Sequence, residues 1–412
     1  MPVRRLSGAR LVAVVCAAQV LVQIGAFFWP ALLPTMMPLW GLTNSEAGWV
    51  TAIFYAAYLA AVPILVTLTD RIDAKLVYLF GVGCTIAGHL LFGMFADGFW
   101  SALATRALTG IGWAGTYMTG LKLLADQVDA KLMSRAVTGH AASIGISGAL
   151  SFSCASLLAD GYGWRSAFLV AALSAGIAWL TVALTVPRRK QPASSTGDGL
   201  GLFDFRPVFR NRSAMAYALA YCIHTLEMSA LRGWAVAFLA YVAMSTGAGE
   251  TRLSPTLVVT ALGLIGTAAS VLGNESAIRW GRRKLIAFAM TASIVVGGSI
   301  GFLGTASYPV AMALLLLYGF IVWLDSSSLT AGTTGTAEPA RRGATLAVHS
   351  MLGYAGGFVG PLIIGVTLDL AGGMSRVAWG AAFLIVAVLM LFALVAFWLI
   401  RPRELAGDRG QD

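Results

Sequence analysis

Apolar residues along this chain come in long runs separated by short polar segments. Twelve such runs lie near positions 11–33, 46–68, 76–96, 100–124, 135–159, 165–186, 213–241, 254–277, 285–305, 308–336, 344–369 and 376–400. Each is about 20 residues or longer, the length that crosses a bilayer as a helix. A backbone in lipid must satisfy its own hydrogen bonds, and runs this continuous do so as helices. The pattern predicts an all-α integral membrane protein with twelve transmembrane helices. The first run follows a basic start, MPVRRLSGAR, but it is too long for a signal-peptide core and no small-x-small site closes it. It reads as an uncleaved first helix.

Composition agrees with the pattern. Of 412 residues, 58% are hydrophobic and 11% charged, where a soluble domain uses about 25% charged residues. A net charge of +10 would by itself admit a nucleic-acid partner. The positions of the charges argue against one, because they fall in the short connections between runs. The basic residues crowd into alternate connections, among them Arg4, Arg5, Arg71, Lys75, Arg188, Arg189, Arg282, Arg283, Arg341 and Arg342. The opposite connections hold Arg165, Arg252 and Arg376, and Arg106, Lys122 and Arg232 fall inside runs. By the positive-inside rule both termini are expected in the cytoplasm. Cys16, Cys84, Cys154 and Cys222 all lie inside apolar runs and read as packing residues; no metal site and no cofactor is expected.

The longest polar connection, residues 187–212, is rich in Pro, Ser, Gly and Arg and reads as a cytoplasmic linker, with a short interfacial helix at Leu202–Phe209. It divides the chain into an N-terminal six-helix half, 1–186, and a C-terminal six-helix half with a short tail, 213–412. The halves look like copies. At an offset of 209, His140 meets His349, Gly110 meets Gly319, Gly148 meets Gly357, Asp160 meets Asp369 and Lys75 meets Lys284. Repeats of this kind place a central site between two moving halves in secondary transporters.

Polar groups inside the runs carry the candidate chemistry, since an intramembrane ionisable residue is costly and marks a pathway. Glu227 lies near the middle of the seventh run, and His224, three residues earlier, shares its face. Arg232 lies five residues on and points roughly 140° away from Glu227, a poor direct partner for it. In the first run Gln19 and Gln23 share a face, and Gln23 corresponds to Arg232 at the same offset. Asp325 lies mid-run among Ser and Thr residues. Glu227, Asp325 and His224 are the proton-coupling candidates; Arg232, Gln19, Gln23 and Arg106 are the substrate-binding candidates. Structural readings compete with each: Glu227, Asp325 and Arg232 can simply pair with a neighbouring helix, Arg106 can be a hydrogen-bonding strut, and His89 reads as a packing residue. His140 and His349, near helix ends in both halves, read as gate contacts. Glycines four apart (Gly297 and Gly301, Gly353 and Gly357, Gly356 and Gly360) predict close helix packing.

Several motifs now add up. Asp70-Arg71 with Lys75, and Gly281-Arg282-Arg283-Lys284 in the second half, follow the second and eighth runs. Arg106 with Gly110, Gly163-Trp164-Arg165 with Phe168, and the GGFVGP segment at 356–361 complete the set. Together they resemble the major facilitator superfamily over nearly the whole chain. Val66, Asp73 and Ile278 stand where the loop motif has glycines and an acid, and Phe152 stands where the exporter motif of helix 5 has a proline. The resemblance implies two pseudo-symmetric six-helix halves, alternating access, and a gating role for Asp70, Arg71, Lys75, Arg282 and Arg283.

No Gly-x-x-x-x-Gly-Lys-Ser/Thr is present, so a transporter would draw on an ion gradient or on the gradient of its solute. No His-Glu-x-x-His or Gly-x-Ser-x-Gly is present, and no enzyme is expected. The expectation is a monomeric, proton-coupled permease for a small anionic solute. Two alternatives stand beside it: a proton-coupled exporter of amphipathic or cationic compounds, and a membrane sensor that kept the fold without transport.

Overall fold

The computed structural model describes residues 8–69, 71–189, 205–247, 253–405 and 408. Among these residues there is no strand. The helices are α1 (Gly8–Gln23), α2 (Phe28–Trp40), α3 (Asn44–Leu68), α4 (Ala74–Phe95), α5 (Phe99–Ala114), α6 (Tyr117–Ala125), α7 (Ala130–Tyr162), α8 (Trp164–Thr185), α9 (Arg206–Arg210), α10 (Arg212–Ser245), α11 (Pro255–Trp280), α12 (Arg282–Leu303), α13 (Tyr308–Leu324), α14 (Ser326–Thr336), α15 (Arg342–Leu370) and α16 (Arg376–Ile400). Eleven stretches among the described residues are long and apolar enough to cross a membrane. The run expected at 100–124 is present as two consecutive helices, α5 and α6, with Gly115 and Thr116 between them. Of the interfacial helix expected at Leu202–Phe209, the described part is the short α9, which begins at Arg206.

The chain forms two compact units: residues 1–40 with 53–198, and residues 41–52 with 199–412. In the first, the opening membrane run is broken between Gln23 and Phe28. Proline explains the break. Pro30 has no N–H to give the carbonyl of Ala26, so that oxygen needs another donor. Arg106 Nη1 supplies it at 3.1 Å. The freed N–H of Phe27 donates to Ser151 Oγ at 3.0 Å. Three helix ends are closed by basic or acidic side chains, as helix dipoles favour. Asp73 accepts from the N–H of Lys75 at the start of α4. Lys75 Nζ donates to the carbonyls of Ala183 (2.9 Å) and Val186 (2.6 Å) at the end of α8. Arg165 donates to the carbonyls of Gly93 and Met94 at the end of α4.

The second unit is built on α10 packed against α15. The expected glycine strip lies at their contact: a Cβ on Gly356 would sit 1.9 Å from the carbonyl oxygen of Cys222, and one on Gly360 would sit 2.2 Å from that of Leu226. Such positions tolerate no side chain, so the backbones approach closely and bury α10 along its length. The first turns of α3 group with this unit because Asp369 holds them: its carboxylate accepts from the N–H groups of Asn44 (3.1 Å) and Ser45 (2.7 Å) and from Asn44 Nδ2 (2.7 Å).

Candidate functional site

Among the described residues, the buried carboxylates lie in the second unit. Glu227 on α10 is 1% exposed. One of its carboxylate oxygens, Oε1, accepts from Ser293 Oγ of α12 at 2.5 Å and from Tyr318 OH of α13 at 2.6 Å. Both are hydroxyl-to-carboxyl hydrogen bonds at the short end of the usual range. His224, one turn earlier, takes a different partner. Its Nδ1 lies 2.9 Å from Asp325 Oδ1, with both side chains almost fully buried. The two atoms are at ion-pair distance but off hydrogen-bond alignment.

Asp325 occupies the gap between α13 and α14. Asp325-Ser326-Ser327-Ser328 is a run of side chains that compete with the helix for backbone hydrogen bonds, which favours an interruption there. A glycine on the neighbouring helix lets α11 close on the gap: a Cβ on Gly273 would fall 1.8 Å from the carbonyl oxygen of Leu324. Below His224 lie two further rings. Tyr221 stacks on His349 at 3.9 Å between centroids and on His224 at 5.6 Å. His349 is held at both nitrogens, by Thr330 Oγ1 at 3.2 Å and Thr333 Oγ1 at 3.1 Å. The unit thus holds two acids, two imidazoles and two phenols within one helix packing. Such a set can bind a proton and pass it between neighbours without exposing a bare charge to lipid.

Arg232 is half-buried on the same helix. Its guanidinium carbon lies 4.7 Å above the ring of Trp323 on α13. Glu227 takes hydroxyl donors instead, in keeping with the angular separation of the two side chains on α10.

The first unit holds the other binding candidates. Gln19 is fully buried and accepts from Tyr78 OH at 3.0 Å. Gln23 is buried beside a cavity of about 10 Å³ that Thr85, His89, Thr109 and Thr116 also line. Neither atom of the Gln23 amide has a partner among the described residues, and the cavity has room for about one water-sized group. Arg106 is buried at 2% exposure, bonded to the Ala26 carbonyl and stacked on Phe54 at 4.8 Å. That is the geometry of a strut across the broken first run.

The gating candidates divide. Lys75 closes α8, as above, and Arg71 is exposed. Asp70 lies outside the described residues. Arg282 is 2% exposed and pairs with Asp408 through Nε (3.0 Å) and Nη2 (3.1 Å). Arg283 Nε meets Glu404 Oε1 at 3.0 Å. The second-half loop therefore takes its acids from the C-terminal tail, where Ile278 leaves none in the loop itself. Sequence reasoning missed this tail, and it missed Ser293, Tyr318 and Tyr221. Single hydroxyls in apolar runs are common, and only the packing register sets these against Glu227 and His224.

Comparison with known proteins adds the family. The model of the Major Facilitator Superfamily matches residues 15–333 and 229–411. The uncharacterized MFS-type transporter YbcL of Bacillus subtilis is 24% identical over 365 residues, 85% of this chain and 88% of its own length. Protein spinster homolog 1 of Homo sapiens is 26% identical over 243 residues, 56% of this chain, and the match spans only 46% of its length. Among solved structures, a bacterial homolog of the human lysosomal transporter Spinster, inward-facing and unoccupied, has a TM-score of 0.74 at 15% identity over 95% of this chain and 96% of its own. The nucleoside transporter NupG has a TM-score of 0.72 at 16% identity over 95% of this chain and 99% of its own. These structures share the fold, and the family model spans almost every helix described above: the chain is a multi-pass membrane protein and belongs to the major facilitator superfamily of secondary transporters.

Proposed function

We propose that the protein is a proton-coupled transporter of a small anionic solute. The observation that carries this reading is Glu227, a fully buried carboxylate held by two hydroxyl donors beside the His224–Asp325 pair. A buried acid in a transporter needs a reason to be ionisable, and exchange of a proton during the cycle supplies one. Arg232 is the cation for the solute: it is half-buried, and its flat guanidinium suits bidentate recognition of a carboxylate or phosphate. Arg106 is committed to a backbone carbonyl, so the binding role rests on Arg232. The basic turns face the cytoplasm of a bacterial cell, and both termini lie on that side. The transporter works as a monomer.

The test is thermal unfolding of the purified protein across small anions, nucleosides and lipophilic cations at two pH values. A ligand that binds only the folded state stabilises it by about 2.7 kcal/mol at a hundred times its Kd. Stabilisation by one anion class, stronger at the lower pH and lost in Arg232→Ala, supports the proposal. Stabilisation by lipophilic cations alone would assign Glu227 and Asp325 as binding acids of an exporter. Stabilisation by nucleosides alone would replace the anion with a neutral solute.

A further inference from the structure

The C-terminal end of α16 and the start of α12 enclose a groove that transport does not explain. Its volume is about 340 Å³, roughly ten times the share of one water in the liquid. Arg283, Lys284, Arg401 and Glu404 form its rim, and Leu394 and Trp398 form its wall. The rim carries three cations against one acid. That acid is already engaged: Glu404 accepts from the N–H groups of Arg282 and Arg283 and from Arg283 Nε. Lys284 and Arg401 make no ion pair among the described residues and are exposed.

The internal repeat shows why Lys284 is available. Its first-half counterpart, Lys75, spends its ammonium on the last carbonyls of α8, which ends at Thr185. At the 209 offset α16 would end near Leu394, but it continues to Ile400. The carbonyls that Lys284 would cap are therefore bonded within the helix. The extension also carries Trp398 and delivers Arg401, which has φ 50, a left-handed conformation, and whose guanidinium carbon lies 5.3 Å over the Trp398 ring. Among the described residues Arg401 alone of the non-glycines has positive φ.

The wall is lipid-facing. Trp398 is 62% exposed on a helix long and apolar enough to span a membrane, and Val395, one turn earlier, is also exposed. Tryptophan at a helix end marks the headgroup level, and basic pockets at such ends recognise anionic headgroups. A free anion would use the cations but not the apolar wall; a phospholipid uses both.

We propose that this groove binds an anionic phospholipid, with its phosphate between Lys284 and Arg401 and an acyl chain along Leu394 and Trp398. Bound there, the lipid ties the start of α12 to the end of α16 at the loop that Arg282 and Arg283 anchor.

The test uses the full chain in detergent, titrated with phosphatidylglycerol, phosphatidylcholine or inorganic phosphate. Thermal unfolding and native mass spectrometry report bound lipid. Phosphatidylglycerol should stabilise the protein and remain bound, while phosphatidylcholine and phosphate should not. In the double variant Lys284→Gln, Arg401→Asn its affinity should fall roughly 30-fold, the loss of two surface cations worth about 1 kcal/mol each. Asparagine is used at 401 because it tolerates the left-handed backbone. Trp398→Ala, which leaves both cations, should also weaken phosphatidylglycerol binding, and undiminished binding in it would deny the apolar wall a role. Undiminished phosphatidylglycerol binding in the double variant would place the lipid elsewhere. Stabilisation by phosphate alone would reduce the groove to an anion site.

Discussion

Replacing Glu227 separates its two roles, as a hydrogen-bond acceptor and as an acid. Glu227→Gln keeps the chain length and keeps an oxygen where Oε1 receives Ser293 and Tyr318. The network survives and the titratable group is lost, so stability should change by no more than about 1 kcal/mol. Glu227→Ala removes the acceptor itself. Ser293 and Tyr318 are each 2% exposed, so neither hydroxyl can turn to water. A buried donor left without a partner costs about 1–3 kcal/mol, giving about 2–6 kcal/mol for the pair before any cavity term. The assay pairs thermal unfolding with transport in proteoliposomes, using the solute that the ligand panel identifies. The Gln variant should exchange solute in counterflow at equal pH but fail to accumulate it against a gradient when a pH difference is imposed. Accumulation at the wild-type rate in the Gln variant would refute Glu227 as the proton carrier. An Ala variant as stable as the Gln variant would refute the network as a structural element.

Five further substitutions, in three tests, probe neighbouring statements. Arg106→Ala leaves the Ala26 carbonyl without its donor; it should lose about 1–3 kcal/mol in denaturant or thermal unfolding while the stabilisation by bound solute is unchanged, and loss of that ligand response would make Arg106 a binding residue. Asp408→Ala strips a buried guanidinium of its bidentate partner and should cost about 3–5 kcal/mol, whereas Glu404→Ala, opposite the half-exposed Arg283, should cost clearly less; equal effects would deny the burial argument. Gly356→Ala drives a methyl to 1.9 Å from a backbone oxygen of α10 and should lower stability by about 3 kcal/mol or more, where Gly298→Ala, whose Cβ meets only side chains at 3.5 Å and beyond, should be close to neutral.

The spans were legible because lipid imposes a simple rule on backbone and side chain alike. The positions expected to cross, such as 46–68 and 376–400, coincide with α3 and α16 to within two residues. The breaks were not legible in the same way. Pro30 was visible, but the need for Arg106 to serve the Ala26 carbonyl depends on α5 lying beside the first run, a tertiary fact. Glu227, Asp325 and His224 stood out because ionisable groups are rare in apolar runs. Their pairing did not: His224 and Glu227 share a face, yet one meets Asp325 and the other two hydroxyls from α12 and α13. Periodicity gives a helix its faces and not its neighbours. The tail acids Glu404 and Asp408 were invisible for a further reason: nothing local marks a polar terminal segment as one that folds back onto a loop more than a hundred residues away.

The repeat itself shows how the buried carboxylates of the described residues come to lie in one unit. At the offset of 209, the interruption between α5 and α6 at Gly115–Thr116 corresponds to the interruption between α13 and α14 at Leu324–Asp325. The two breaks occupy equivalent positions of the repeat, and each is closed by a glycine on a neighbouring helix. A Cβ on Gly81 would lie 2.6 Å from Gly115, and one on Gly273 would lie 1.8 Å from the Leu324 oxygen. The residues placed at the breaks differ. In the first unit Thr116 returns its hydroxyl to the Gly112 carbonyl of its own helix at 2.9 Å, which asks nothing of a proton. In the second unit Asp325 faces His224 across to α10. The corresponding positions on the first and seventh runs divide likewise: His224 matches Val15 and Glu227 matches Ala18, both buried and apolar. One architecture thus yields a break with a hydroxyl and a break with a carboxylate. Exchanging the break residues, Thr116→Asp with Asp325→Thr, should not transfer the acid–imidazole pair to the corresponding place in the first unit, because Val15 and Ala18 stand there where the second has His224 and Glu227.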